Sequence, residues 1–202
     1  MKAYEGYEAK KAASASEALP AGGYVAKILK AEVQEYSWGD VLVISFDIAE
    51  GDFKGHFRKR WDADASSDYG QKWKGNFRLN IPSEKSKYPD SDKRAFNNAM
   101  WAIENSNPRY KWNWQEETLK GKMIGVLFRN KEWEKDGNSG WTTECCTVTS
   151  VADIRNGDFV MPKDKPLKKS ESSGTTAAPT KQETAAAAFE TAETIDDDEV
   201  PF

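Results

Sequence analysis

The sequence predicts a mainly β domain: a five-stranded barrel with one helix between its third and fourth strands, followed by a disordered C-terminal tail. Three observations carry that prediction. Runs of alternating apolar and polar residues recur between residues 19 and 162. A single helical stripe interrupts them, and from Lys163 onward the composition turns to Lys, Ser, Thr, Ala, Pro and Glu. The 202 residues suffice for one ordinary domain plus an extension. The chain is 31% charged with a mean hydropathy of −0.79, yet it holds 8 Trp, 7 Tyr and 9 Phe. A wholly disordered chain would be poor in those aromatics.

The elements follow in order. After a polar N-terminal segment, 1–18, the run "LPAGGYVAKILKAEVQEY" opens on turn residues and continues as a strand with Val25, Leu29 and Val33 in phase. "DVLVISFDIAEG" sets Leu42, Ile44, Phe46 and Ile48 on one face, a period of two. Ser37-Trp38-Gly39-Asp40 between them suits a hairpin loop. "FKGHFRKRW" reads as the third strand, with Phe53, Gly55, Phe57, Lys59 and Trp61 on one face and Lys54, His56, Arg58 and Arg60 on the other. Residues 62–89 lack a clear period, and "GQKWKGNFRLNIP" reads as an extended surface segment. "DSDKRAFNNAMWAIENSNP" reads as a helix capped by Asp90 or Ser91, with Phe96, Ala99, Met100 and Ile103 as its stripe and Pro108 as its stop. Trp101, beside that stripe, is expected in the core, and Trp112 and Trp114 against the barrel bottom. "GKMIGVLFRNKEW" and "GWTTECCTVTSV" are two strands joined by a loop over Glu134–Gly140. The domain therefore spans 19–162. Residues 163–195 are too poor in apolar side chains to offset the entropy of ordering and read as a linker.

A β-β-β-α-β-β order matches the five-stranded OB-fold, which binds oligonucleotides on strands 2 and 3 beneath loops 1–2 and 4–5. Both loops carry tryptophan here: Trp38 in the first, Trp133 and Trp141 flanking the second, with Arg129 and Lys131 on the fourth strand. Across residues 54–78, Lys54, Arg58, Lys59, Arg60, Lys72, Lys74 and Arg78 face only three carboxylates, a local +4 in a body, 1–162, that is neutral as a whole. Phe57, Trp61, Tyr69, Trp73 and Phe77 lie among these cations. Phe57 and Trp61 are expected in the core, and Trp73 in the groove. Cations that follow phosphates, with aromatics on which bases stack, form a site for single strands without sequence preference. The expected ligand is single-stranded nucleic acid, DNA or RNA.

Other chemistries are poorly represented. No Walker loop, H-E-x-x-H or G-x-S-x-G occurs, and no cofactor or metal site is expected. Asp47, Glu50 and Asp52 are the carboxylates that a magnesium-dependent nuclease or recombination enzyme would use, but a strand end and turn favour their ordinary solvation. His56, the sole histidine, reads as a surface residue. Cys145 and Cys146, the only cysteines, point to opposite faces of a strand and so are expected as half-buried free thiols in a reducing compartment. Neither a membrane span nor a secretory signal is expected, which points to an intracellular protein. Oligomeric state is left open.

The last seven residues are Asp196, Asp197, Asp198, Glu199, Val200, Pro201 and Phe202. Their four carboxylates account for the net charge of −4, because 163–195 carries five charges of each sign. This "DDDEVPF" tip resembles the acidic C-terminal peptide of bacterial and phage single-stranded DNA-binding proteins, which typically reads Asp-Asp-Asp-Ile-Pro-Phe. Here Glu199 intervenes and Val200 replaces Ile. The body segments "LPAGGYVAKI", "WGDVLVISFDIAEGDFKG", "FRLNIP" and "GVLFRNKEW…GWTTECC" resemble a single-stranded DNA-binding replication family of phages and prophages from Firmicutes hosts. The resemblance implies a non-catalytic role in phage DNA replication and recombination in the bacterial cytoplasm. It also implies that the tip recruits replication or repair proteins. A terminal Phe suits a basic-rimmed pocket. The acidic run would speed encounter with a basic partner, and a coil of about 35 residues reaches roughly 30 Å.

Overall fold

The pairing of two long alternating runs sets the frame of the molecule. In the computed structural model, which describes residues 18–66 and 71–167, β1 (Gly22–Tyr36) and β2 (Gly39–Ile48) form an antiparallel hairpin turned at Ser37–Trp38. Leu42, Ile44, Phe46 and Ile48 all face inward and are at most 2% exposed. The phase expected for β1 is corrected. A bulge between Ile28 and Lys30 leaves Leu29 outside the ladder, so Ala26 and Ile28 face Ile48 and Phe46 before it, and Ala31 faces Ile44 after it. One extra residue flips every later side chain, which period counting across a bulge misses.

The expected third strand is also corrected. Residues 53–61 are a turn followed by helix α1 (His56–Ala63), and the third strand, β3, is Asn76–Asn80. Phe53, Phe57 and Trp61 recur every four residues, a spacing that satisfies a strand and a helix alike. Gly51 and Gly55, at φ 76° and 72°, give the chain the left-handed turns that lead it out of β2 and into the helix. Only Phe57 of α1 is buried, and its ring meets those of Phe46 and Phe128 with centroids 5.7 and 6.2 Å away.

Helix α2 (Pro89–Ser106) follows β3 as expected, with Phe96, Ala99, Met100 and Ile103 buried. It starts one residue before the expected cap, with Pro89 in its first turn and no side-chain cap, because proline's fixed φ already suits that position. Trp101 is 52% exposed rather than core. Trp112 packs against the core, while Trp114 stacks on Phe96 at 5.6 Å and leaves most of its surface in solvent.

β4 (Met123–Lys135) and β5 (Asn138–Thr149) form the second hairpin. Its turn is Asp136-Gly137, both at positive φ, so the ladder extends well into the segment expected as loop. All strands join one antiparallel sheet in the order β3-β2-β1-β4-β5, open between its edge strands β3 and β5. A third helix, α3 (Val151–Asn156), is started by a reciprocal capping box between Ser150 and Asp153. It covers the outer side of β1 and β4. A Cβ on Gly23 would lie 2.8 Å from Ile154, and one on Gly125 2.6 Å from it. That part of the sheet is closed to ligands; on the outer side of β3, Arg78 is exposed. No helix among the described residues is long and apolar enough to cross a membrane.

Candidate nucleic-acid interface

The ladders decide which polar side chains share a face. Pairing of Tyr36 with Gly39, Gln34 with Val41, Val43 with Arg78 and Ser45 with Asn76 puts all of these on the opposite side from Leu42 and Ile44, where Val41 is itself covered at 1% exposed. Tyr36 and Trp38 stack there with centroids 5.1 Å apart and planes 14° from parallel. Arg78 lies over the Tyr36 ring at 5.7 Å and donates to Tyr36 Oη at 2.7 Å and to Gln34 Oε1 at 3.3 Å. The guanidinium is thus held by a ring and two acceptors while remaining exposed. Trp38 is 54% exposed, so its ring is available for stacking.

Of the hollows that Arg78 borders, two are also lined by lysine side chains. One, of about 410 Å³, lies between the β1–β2 turn and the segment before α2, and is lined by Trp38, Lys85, Lys87 and Tyr88. The other, of about 370 Å³, lies between α1, β3 and β5, and is lined by His56, Arg60, Lys74, Asn76, Thr142 and Thr143. Together they make a track across β3 whose lining holds five cations, Lys85, Lys87, Arg78, Lys74 and Arg60, and three carboxylates, Asp40, Asp92 and Glu144. Lys85, Lys87, Tyr36 and Tyr88 were not among the expected contacts. The signal for Lys85, Lys87 and Tyr88 was the run "KSKY", a cation–aromatic cluster like that of Lys72–Lys74.

The expected nucleic-acid contacts outside the second hairpin divide into three groups. Trp38, Arg60, Lys74 and Arg78 line the track. Lys54, Arg58 and Lys59 are exposed on α1 and the turn before it, and Lys72 is exposed ahead of β3, so these four widen the positive surface without entering the hollows. Trp73 is half-buried. Its indole N–H donates to the carbonyls of Phe46 and Gly75, and Arg58 covers its ring at 5.7 Å. It is a wall of the domain, not a free platform. Trp61, expected in the core, leans on Trp73 at 6.0 Å and is only half-buried. His56 is half-buried against the rings of Phe53 and Phe57.

The second hairpin contributes differently on its two faces. Arg129, Lys131 and Trp133 share one face, opposite Glu144, Thr142 and Gly140; Trp141 stands on the other. Glu144 accepts from Arg129 at 3.0 Å and pairs with Lys131 at 2.8 Å, so both cations are already partnered. Burial raises the Glu144 pKa, but the hydrogen bonds and charges of Lys131 and Arg129 outweigh it and the net shift is downward. With the folded pKa below the unfolded one, this triad stabilises the hairpin at neutral pH and is lost as pH falls through the folded value. Trp133 and Trp141 are 40% and 55% exposed at the hairpin tip.

The carboxylates considered for magnesium do not converge. Asp47, expected to be solvated, accepts from the backbone N–H of Ile48 and Phe57 at 2.9 Å and of Arg58 at 3.2 Å, capping α1 from the strand before it. Glu50 pairs with Arg155, which holds its pKa below the usual carboxylate range. Among the described residues no group of three or more His, Cys, Asp or Glu is placed to hold a metal ion. Asp47→Ala is expected to lower stability by about 1–2 kcal/mol, the worth of a helix cap, measured by thermal melting. Magnesium-dependent cleavage of a labelled strand that this substitution abolishes would instead restore the nuclease reading. Cys145 is half-buried and Cys146 buried; burial raises both thiols above the ordinary range, so neither is a ready nucleophile.

The tip residues 196–202 lie outside the described residues. No family model matches the chain, and no curated protein matches it significantly.

Proposed function

We propose that the chain binds single-stranded nucleic acid, DNA before RNA, along the track across β3, and that it is an OB-type domain with a partner-recruiting tip. The observation that carries the reading is Arg78, fixed over the Tyr36–Trp38 stack and shared by two cation-lined hollows. A planar guanidinium beside a stacked aromatic pair offers a phosphate a fork of donors and a base a flat surface in one place. The strand pairing supports the OB reading: β1 is central, β2 and β4 flank it, and the edges β3 and β5 come next, as in a partly open five-stranded barrel. An OB-type domain carries its ligand between the loops that correspond to the β1–β2 turn and the β4–β5 hairpin, which favours the track as the site. The preference for DNA, the role in phage replication and recombination, and recruitment through 196–202 rest on the resemblance of the sequence segments and of "DDDEVPF".

Tryptophan fluorescence decides the reading. Adding oligo-dT is expected to quench Trp38 emission, with weaker quenching by oligo-U and by duplex and a loss of affinity as salt rises. Equal affinity for duplex and single strand would sink the proposal, and tighter binding of oligo-U would move it to RNA. The same titration on a chain lacking 196–202 is expected to give equal or tighter affinity, because the tip serves a protein partner and repels phosphate.

A further inference from the structure

β4 outruns its neighbour. β1 pairs with it only from Gly22, opposite Phe128, to Lys27, opposite Met123, so from Asn130 onward β4 has a free edge on the side away from β5. The chain returns to fill that edge. After α3, Lys165 makes a parallel bridge beside Lys131, donating from its N–H to the Asn130 carbonyl at 2.8 Å and accepting from the Glu132 N–H at 2.9 Å. Two side chains fasten its flanks: Asn130 Nδ2 donates to Asp164 Oδ1 at 2.9 Å, and Glu132 Oε2 accepts from the Leu167 N–H at 3.0 Å. The segment is stiff by composition. Pro162 precedes it and Pro166 lies within it, and a residue that precedes proline, as Lys165 does, is biased toward extended backbone.

We infer that Lys163–Leu167 is a strap that positions the β4–β5 hairpin for nucleic-acid binding, so the root of the linker is part of the binding domain. Asn130, Lys131 and Glu132 stand next to Trp133, and Glu132 pairs directly with Trp141. A two-stranded ribbon that projects past the rest of its sheet is marginal on its own. A third backbone segment on its open edge holds the ribbon that carries both tryptophans, one on each face, in a fixed position beside the track. Asp164 and Lys165 are therefore positioning residues. The expected segment boundary at 163 moves to at least Leu167. The inference rests on the single-strand reading only for its functional half; the bracing itself is independent of any ligand.

The test uses the full chain and two substitutions at one position. Lys165→Pro removes the N–H donated to Asn130, whereas Lys165→Ala removes the charge and keeps the N–H. Hydrogen exchange at the Glu132 amide is expected to accelerate about tenfold in Lys165→Pro and to stay near wild type in Lys165→Ala. The oligo-dT Kd is expected to rise about three- to tenfold in Lys165→Pro, against less than about twofold in Lys165→Ala. Fast exchange at Glu132 in the wild-type chain would overturn the strap. Accelerated exchange with an unchanged Kd would overturn its positioning role. Wild-type protein that ignores oligo-dT while protecting Glu132 would instead sink the nucleic-acid reading and leave the bracing standing.

Discussion

Arg78→Ala is expected to weaken oligo-dT binding at least about tenfold, the largest loss from any single cation on the domain. The estimate combines one charge-assisted phosphate contact with a share of a stacking platform, at about 1–3 kcal/mol per stacked base. Arg78 orders the platform as well as touching ligand: without it, Tyr36 loses the donor to its hydroxyl and the cation over its ring. The log–log salt slope should fall by about 0.7, one phosphate contact on a single strand. Stability should barely move, because the side chain is exposed and such changes usually stay within about 0.5 kcal/mol. Lys59→Ala, on the exposed face of α1, supplies the contrast, with an effect near twofold from charge alone. Equal losses from the two substitutions would mean that binding follows net charge and not the track. Trp38→Ala should then be tested for quenching, since the same platform predicts that most of the signal disappears with that ring.

β2 was fully legible because its alternation runs unbroken from Leu42 to Ile48 and both its neighbours are strands. The stripe of α2 was legible for the same reason at a different period. β1 was legible as a strand but not in phase, since nothing local marks the bulge at Leu29. α1 was lost to a coincidence of spacing, and the deciding contacts came from Asp47, ten residues upstream of the amide it caps. Five-residue β3 carries only Phe77 and Leu79 as inward residues, too short a run to outweigh the preceding basic segment. The cations were found because charge clusters survive a wrong secondary-structure assignment. Which of them would be partnered was not, because Glu144 reaches Arg129 and Lys131 across a hairpin. Trp101 and Trp73 exchanged expectations for a related reason. A ring's burial depends on what packs over it, and hydrophobicity alone could not tell the exposed helix position from the half-buried one whose indole N–H is held by the Phe46 and Gly75 carbonyls. The strap was invisible to composition, which sees Lys163–Leu167 as the start of a polar tail. Its two prolines were the available signal.

Phe57→Ala should cause the largest loss of stability among the residues near the site, about 3–5 kcal/mol, the usual range for deleting a buried phenylalanine ring. Phe57 is 5% exposed, stacked on Phe128 and edge-on to Phe46. The backbone leading into β3 lies directly on its ring, close enough that a Cβ on Gly75 would sit 2.6 Å from it. Collapse into the vacated space is therefore limited by three strands that must keep their ladders, which keeps the cost high. Set against a total stability of about 5–15 kcal/mol, and with each kcal/mol worth about 2–4 °C in a domain this size, the midpoint should fall by roughly 10 °C. The consequence for function follows from the size of α1. Eight residues do not hold a helix alone in water, and this one is fixed by the Phe57 ring beneath it and the Asp47 carboxylate at its start. Releasing the ring should let Arg60 and Lys74 move off the second hollow, so affinity should drop several-fold even at temperatures where the variant remains folded. Asp47→Ala combined with Phe57→Ala should cost less than the two separately, because once either anchor is gone the other holds a frayed helix. Phe57→Leu, which keeps most of the apolar volume, should restore much of the midpoint. A melt of Phe57→Ala within about 2 °C of wild type, below the shift expected for even 1 kcal/mol, would show that α1 is not anchored there, and the basic hollow would then need another support.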